Sequence, residues 1–588
     1  MSCTVDPTFH RINKEDHIRQ LEGHIRELRD LVGKKDETTS STPVSNLSIT
    51  VPEALTSENP DMGLRDGSAR DILPDLESVQ ELPRHPSQST YSIGPVTLSH
   101  EQADTLVALY FNKYHHFLPF LDPSKGAEDY YKTSRLLFWS LISVSSRQFR
   151  TDPHLLMKLA PILNNALWKT VATGSISFSH LQALVINSCW LLPKFRLWTD
   201  KSLVFANIAV TYATHLGLHR PGHEQDYTKD NISLTHRGVL ERMKTWLACT
   251  SLYQSLTIDV GQPPLLLLMN KTISQFSGEE MASEIPPELY HNSLIQECSY
   301  RATYTLSENS ESTSGIPPPG SFYLMMDMLE ESFDLLQQNL GDTISFFNNL
   351  RLTAARLIFQ CNYFLEETQT ERRMKGILRA YSTAVLLITT TISHEVACEE
   401  LPYAPLSSLR MIFLAALVIF RVLHSKYAAS PYAELDKSAG HVLYRAASLA
   451  LRQLSVQCDE KDIPTRASDV LNELWRWGES DIDLQRCEPT FRVRSRMGGS
   501  LLFDCLFIWR KYKRKSHQQS APQSSQFQNQ DSADLSRSQF TRENFLVGSM
   551  EIFDPSIFAP SIFDSTGICE QAEAWDYSED PSLSIWQA

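Results

Sequence analysis

Near the start of the chain, apolar residues fall at Ile18, Leu21, Ile25, Leu28 and Val32, in steps that alternate three and four. That spacing places them on one seam of a helix as a and d positions of a heptad, with Asn13 as N-cap and Asp16 set favourably against the helix dipole. β-Branched residues at a (Ile18, Ile25, Val32) with Leu at d favour a parallel two-stranded coiled coil, so residues 13–33 predict a short dimerising helix. Little more than two heptads, with Gly23 inside, also fits an amphipathic helix docked on the chain's own globular part. Residues 34–98 show no sustained period. Rich in Ser, Thr, Pro, Asp and Glu, they bury too little apolar surface to offset chain entropy and read as a disordered linker.

Helical periodicity takes over at Ser99, where Ser99-x-x-Gln102 has the form of a capping box. The helix it opens runs to about Phe117 and presents Leu106, Leu109, Tyr110, Lys113 and Phe117. Leu136–Val144, a helix from Pro153 to about Thr173, and the set Leu181, Leu184, Val185 and Ser188 continue the pattern. Leu203, Ala206, Val210, Ala213 and Leu216 form a stripe of mostly small residues that lets another helix approach closely. Gly217 is placed to end that helix in the left-handed conformation, with Leu218 folding back and Pro221 blocking continuation. Thr235–Thr257 carries Val239, Met243, Trp246, Leu247, Thr250 and Tyr253 on one face, and Gly261-Gln262-Pro263-Pro264 predicts a rigid turn.

Further helices are predicted over Phe322–Leu352, Arg356–Glu367, Ile377–Ser393, Leu406–Lys426 and His441–Cys458, with a last apolar segment at Leu501–Trp509. Segments of period two are scarce. Residues 99–515 therefore read as all-α, a multi-helix bundle of solenoid-like kind. The longest apolar run, Met411–Phe420, is too short for a bilayer and predicts a core helix, so no membrane partner is expected.

Arg510, Lys511, Lys513, Arg514 and Lys515 follow the last apolar segment as a basic cluster. It is a candidate nuclear import signal; the other readings are a helix end whose cations complement the dipole, and a phosphate contact. Residues 516–542 are rich in Gln and Ser and predict a second disordered linker. After Arg542 there is no Lys, Arg or His. Acids there alternate with aromatics, and Ile552-Phe553, Ile557-Phe558 and Ile562-Phe563 form a small repeat, followed by Trp575 and Trp586. Mutual repulsion holds such a tail open while its apolar residues stay available for shallow grooves on a partner, so 543–588 reads as an activation tail for coactivators. A tail folded back on the helical body is the competing state.

Composition narrows the function. A net charge of −15 opposes a surface built to coat nucleic acid or anionic membrane. The ten cysteines include no C-x-x-C pair, which leaves reduced thiols of an intracellular chain as the expectation. The first residues lack the apolar core of a signal peptide. His115-His116 has no third ligand at a recognisable distance. No phosphate-binding loop, dinucleotide fingerprint, G-x-S-x-G or H-E-x-x-H is present, and Asp459-Glu460-Lys461-Asp462 is a poor match to the Asp-rich magnesium motif of terpenoid synthases. No catalytic residue and no metal site is expected in this chain.

The blocks Tyr110-Phe111 through Tyr114-His115-His116-Phe117-Leu118-Pro119-Phe120-Leu121, Leu216-Gly217-Leu218-His219-Arg220-Pro221, Trp246-Leu247-Ala248-Cys249 and Gly261-Gln262-Pro263-Pro264 resemble, in order and wording, the middle regulatory region of fungal zinc-cluster transcription factors. The resemblance implies a nuclear transcription regulator, commonly an activator of one metabolic or secondary-metabolite pathway, that pairs as a homodimer or heterodimer. In that family a six-cysteine zinc module precedes a short coiled coil. Here only Cys3 stands in its place, within residues 1–12, which look like the end of the module and its linker. Zinc and direct promoter contact are thus expected only with a longer N-terminus or from a partner. A small-molecule effector is a further implication, and His219 and Arg220 are open to effector contact or to capping and surface roles. The alternative is a helical scaffold or dominant-negative partner that heterodimerises with an intact relative without touching DNA.

Overall fold

The computed structural model describes residues 90–520 apart from 175, 194–199, 230–233, 263–282, 308, 310, 311, 313, 430–434, 457–461 and 482–488, and gives backbone alone for 515–520. These residues belong to the second of two compact units, which begins at Leu82. The predicted remnant at 1–12, the heptad and the tail lie outside the described residues.

The end of the predicted linker is corrected. Thr90–Ile93 (β1) and Val96–Ser99 (β2) pair antiparallel with Thr90 opposite Ser99 and Ile93 opposite Val96. Gly94, at φ +54, takes the left-handed step that a two-residue hairpin turn needs. Tyr91, Val96 and Leu98 point inward and are buried, whereas Ser92 and Thr97 face out. An isolated hairpin is marginal in water. Here Tyr91 stabilises it by packing against Tyr131 (4.7 Å between ring centres) and Phe138 (5.0 Å), rings contributed by helices further along.

Fifteen α-helices follow among the described residues. The first, α1 (His100–Lys113), has the predicted capping box: Ser99 Oγ accepts from Gln102 N at 3.2 Å and Gln102 Oε1 accepts from Ser99 N at 3.0 Å. A 3₁₀ turn, His115–Phe117, carries it to the predicted end. Then come α2 (Ala127–Thr133), α3 (Arg135–Ser145), α4 (Leu155–Ala172), α5 (Phe178–Cys189) and α6 (Ser202–His215). The small residues Ala206, Ala209 and Ala213 are buried and let α6 lie between α5 and α7 (His236–Asp259). Gly217 (φ +75) ends α6 as predicted: its N–H donates to Thr214 O at 3.1 Å and that of Leu218 to Ala213 O at 3.0 Å, with Leu218 buried.

The second half holds α8 (Pro287–Ser307), α9 (Pro319–Leu340), α10 (Phe346–Gln360), α11 (Glu371–Cys398), α12 (Leu406–Leu423), α13 (Lys437–Gln453), α14 (Ile463–Ser480) and α15 (Ser500–Ser520). The run predicted as Phe322–Leu352 is two helices, broken where Gly341 takes φ +52. Arg356–Glu367 is not a separate helix but the end of α10 and a 3₁₀ turn, Cys361–Phe364. Asp462, part of the weak Asp-rich match, is the N-cap of α14 and accepts from Thr465 N at 3.1 Å.

Successive helices pack mostly against their neighbours in sequence, with α12 as the hub against α7, α10, α11, α13, α14 and α15. By length and composition α11 and α12 are each apolar enough to cross a membrane, yet 83% of that stretch of α12 is buried inside the domain, as expected of a core helix. Each large apolar side chain buried there, Leu417 and Phe420 among them, contributes about 1.5–3 kcal/mol. The observed architecture is the predicted all-α multi-helix body, with one small hairpin added.

Candidate effector cavity

Helix α7 ends in a second Schellman motif. Gly261 N donates to Ile258 O at 2.9 Å and Gln262 N to Thr257 O at 3.0 Å, with Gly261 at φ +63. Pro263 and Pro264 of the predicted turn lie outside the described residues. Glycine is required at 261 for a second reason: a Cβ there would sit 2.1 Å from Arg496 O. Likewise a Cβ on Gly498 would sit 2.0 Å from Ile358 O, and one on Gly499 would meet Gly261 itself at 3.0 Å. Arg496 Nη1 adds a bond to Val260 O at 2.9 Å. The strand of chain entering α15 is thereby clasped onto the end of α7, and Asp259, the last residue of α7, is held in place.

Asp259 faces a cavity of about 60 Å³ lined mainly by α7, α8, α10 and α12. Ser251 and Ser255 come from α7, Asn292, Gln296 and Ser299 from α8, Arg351 from α10, and Arg410 with Met411 and Leu414 from α12. Phe117, Leu118 and Cys189 line it from the first half of the chain. Arg410 Nη2 donates to Asp200 Oδ2 at 2.8 Å, and its Nη1 stands 3.5 Å from Asp259 Oδ2. Arg351 donates from Nη1 to Asn348 Oδ1 at 2.8 Å and from Nη2 to Phe117 O at 2.9 Å. The ionisable group beside it is the Cys189 thiol.

Burial governs the charges here. It pushes the Asp259 carboxyl up to about 6, against the opposing pull of Arg410. It pushes Arg351 down to about 10 and the Cys189 thiol up to about 12. Arg351 stays a cation at neutral pH and the thiol stays protonated, so Cys189 is no nucleophile. Ser251 Oγ is buried without a hydrogen-bond partner, whereas Asp259 Oδ2 and Arg410 Nη1 face each other as an ion pair at 3.5 Å.

The residues singled out from sequence lie elsewhere. His115 Nε2 bonds Leu121 O at 3.0 Å, and burial pushes the ring down to about 4. His116 packs on Phe117 at 4.1 Å. Among the described residues no group of His, Cys, Asp and Glu is arranged to hold a metal. His219 Nε2 is 3.2 Å from Tyr227 Oη and its ring lies 6.0 Å from Trp246, so it serves packing under α6 and α7. Neither His219 nor Arg220 lines the cavity. Lys511, Lys513 and Arg514 are exposed on α15, Arg510 is half-buried, and Lys513 Nζ sits 5.0 Å over the Trp509 ring. Since α15 continues to Ser520, this cluster is mid-helix, which removes the reading as a helix end set against the dipole, an effect confined to the last turn. The side chain of Lys515 lies outside the described residues. So do Cys3, the seam Ile18, Leu21, Ile25, Leu28 and Val32, and the tail residues Ile552, Phe553, Ile557, Phe558, Ile562, Phe563, Trp575 and Trp586.

One signal for the cavity was available. Asn292, Gln296 and Ser299 recur at i, i+4 and i+7, an uncharged polar stripe at core-facing spacing.

No family model and no solved structure matches the chain. Among curated proteins it is similar to the transcriptional regulatory protein SEF1 of Candida albicans, 25% identical over 461 residues that cover 75% of this chain and 48% of the relative. It is also similar to a regulatory protein of Saccharomyces cerevisiae, 23% identical over 471 residues that cover 71% of this chain and 52% of the relative. The chain thus spans about half the length of these relatives, which are fungal regulators by name.

Proposed function

We propose that the chain is the regulatory and activating part of a nuclear transcription regulator of the zinc-cluster kind, a pathway-specific activator that works as a dimer. The observation that carries this reading is the likeness to fungal regulators across about three quarters of the chain. A match of that span must run through the helical body, because residues outside 90–520 make up too little of the chain to supply it. In the proposed mechanism the seam from Ile18 to Val32 pairs two chains. The helical body takes up an effector in the cavity between α7, α8, α10 and α12 and thereby changes access to the acidic, aromatic tail, which recruits coactivators. The basic cluster on α15 directs nuclear import, and promoter DNA is contacted through a zinc module in a longer chain or in a partner.

The test is a fusion of Gln526 onward to an unrelated DNA-binding module, read with a reporter gene. Activation that falls when Phe553, Phe558 and Phe563 are changed together to Ala supports the reading. A silent fusion of normal abundance overturns it.

A further inference from the structure

We infer that the outer face of α11 is a surface at which two copies of the helical body meet across a two-fold axis, separate from the seam of Ile18 to Val32. Over 372–396, positions spaced three and four apart along α11 are all exposed. They begin with the cations Arg372, Lys375 and Arg379, pass through Ser382, Leu386, Thr389 and Ser393, and end at Val396, just before Glu399 and Glu400. Such steps are those of a seam by which one helix packs on another, yet this one lies uncovered among the described residues. Residues 380–393 include no Asp, Glu, Lys, Arg or His. Only 44% of the apolar stretch of α11 is buried inside the domain, against 83% for that of α12. A solvated helix face ordinarily carries charge, and an apolar one left in water marks an interaction site.

The face continues onto the helices on either side. Helix α13 packs along α11, and Arg372 Nη2 donates to Asp327 Oδ2 of α9 at 2.5 Å. Of the ten large apolar side chains exposed among the described residues, seven lie on these three helices: three on α9, Leu386 and Val396 on α11, and Val442 and Leu449 on α13. Three helices side by side at about 8–10 Å spacing, over roughly 25–30 Å of length, give about 600–900 Å². That is close to the roughly 800 Å² each partner brings to a stable interface.

Charge selects a second copy as the occupant. At −15 per chain two copies repel one another, so a face without net charge is where they can meet. The stripe is basic at its start and acidic at its end, and complements itself only when the two helices run antiparallel; a parallel pair sets Arg372, Lys375 and Arg379 against their own counterparts. An axis between Leu386 and Thr389 places Leu386 against Thr389 of the second copy, Ser382 against Ser393, Arg379 against Val396 and Lys375 against Glu400. No like charges are opposed, and the serines flanking the crossing let the two backbones approach. Lys375 meets Glu371 of its own helix at 2.7 Å, an exposed pair of small worth that exchanges at little cost. Glu400 Oε2 bonds His394 Nε2 at 2.9 Å, which leaves Oε1 for the second copy.

The full chain carrying Ile18→Glu and Ile25→Glu, which removes the seam, is followed by sedimentation equilibrium up to about 100 μM. The expected result is a dimer that persists, with Leu386→Glu in the same chain weakening association at least ten-fold. Lys375→Glu alone is expected to weaken it and Lys375→Glu with Glu400→Lys to restore it, folding of each variant being checked by circular dichroism. Mild oxidation reads the register. A mixture of Ser382→Cys chains with Ser393→Cys chains is expected to give a disulfide-linked dimer beyond that of the parent, whereas either variant alone gives none, its two cysteines standing about 16 Å apart along the axis. A seam-free chain that is monomeric at the highest concentration, a folded Leu386→Glu chain that associates unchanged, or equal cross-linking by either cysteine variant alone overturns the inference. Monomer in the first test leaves the regulator reading standing with the seam as its pairing element, and a silent tail fusion leaves this face standing.

Discussion

Asp259 and Asp504 both face arginines of α12, Arg410 and Arg421, which stand about three helical turns apart and lie 3.5 Å and 3.4 Å from them, yet only Asp504 also takes backbone donors. Asp504, 1% accessible, is built in: Oδ1 accepts from Arg492 N at 2.7 Å and Val493 N at 3.2 Å, and Oδ2 is 3.4 Å from Arg421 Nη2. Arg421 in turn donates to Thr490 O at 2.6 Å and covers the Phe491 ring. Asp259 receives no such backbone donors. Its side chain keeps 18% of its surface accessible although its surroundings are dense, so that surface opens on the cavity. The first pair is a rivet between α12 and α15. The second pair lines the cavity, and the difference lies in how many donors the fold supplies to each acid.

Breaking the rivet gives the largest expected effect. Asp504→Ala leaves Arg421 uncompensated and two backbone N–H groups unpaired, and is expected to cost about 3–5 kcal/mol of unfolding free energy by denaturant titration. A loss under 1 kcal/mol would remove the contrast. The next effect falls on the clasp that joins the two sites, since Gly499 packs on Gly261 and Asp504 lies one turn further on. Gly261→Ala forces a side chain into a left-handed position and against a carbonyl at 2.1 Å, with an expected cost of about 2–4 kcal/mol.

Asp259 predicts the reverse sign. Burial raises its carboxyl from the ordinary 3.8 to about 6, so the folded chain holds this proton more tightly than the unfolded chain does. Its contribution is favourable below pH 3.8 and is lost as the pH rises through about 6, leaving the ionised acid as a burden at neutral pH. Asp259→Asn is therefore expected to stabilise the ligand-free chain at pH 7.5 by on the order of 2 kcal/mol, the gain fading toward pH 4. Denaturant midpoints across that range read it directly. A gain of equal size at pH 4 would assign it to packing instead of charge.

The same contrast explains what could be read in the sequence. Helix ends were legible because their chemistry is local: Ser99 with Gln102, and Gly217 with Leu218, each settle one terminus within four residues. The hairpin escaped because four residues of alternation in Thr90–Ile93 are too few to register, and Tyr91 depends on rings some forty positions away. Helix α8 escaped because its inward face is polar. Its inward face carries Asn292, Ser293, Gln296 and Ser299, so the apolar period that marks a core helix is interrupted where it meets the cavity. The cavity itself draws on positions from Phe117 to Leu414, which no local pattern could bring together.

The smallest expected effect discriminates most finely, because it compares one substitution at two buried serines. Ser448 Oγ lies 2.8 Å from Ser468 Oγ and within 3.3 Å of Asn472 Oδ1, sealed between α13 and α14. Ser448→Ala removes its bonds to Ser468 and Asn472, while Ser468 Oγ keeps the one it accepts from Arg452 Nε at 2.9 Å, and is expected to cost about 1–2 kcal/mol. Ser251 is just as buried, but its Oγ bonds nothing and faces the cavity. Removing a hydroxyl that was desolvated without reward is expected to leave stability unchanged or up to about 1 kcal/mol higher. Paired thermal or denaturant curves for the two variants give the comparison at equal chemistry. If Ser251→Ala costs as much as Ser448→Ala, the polar lining of the cavity is as fully engaged as the rivet, and the fold leaves nothing there for a ligand to complete.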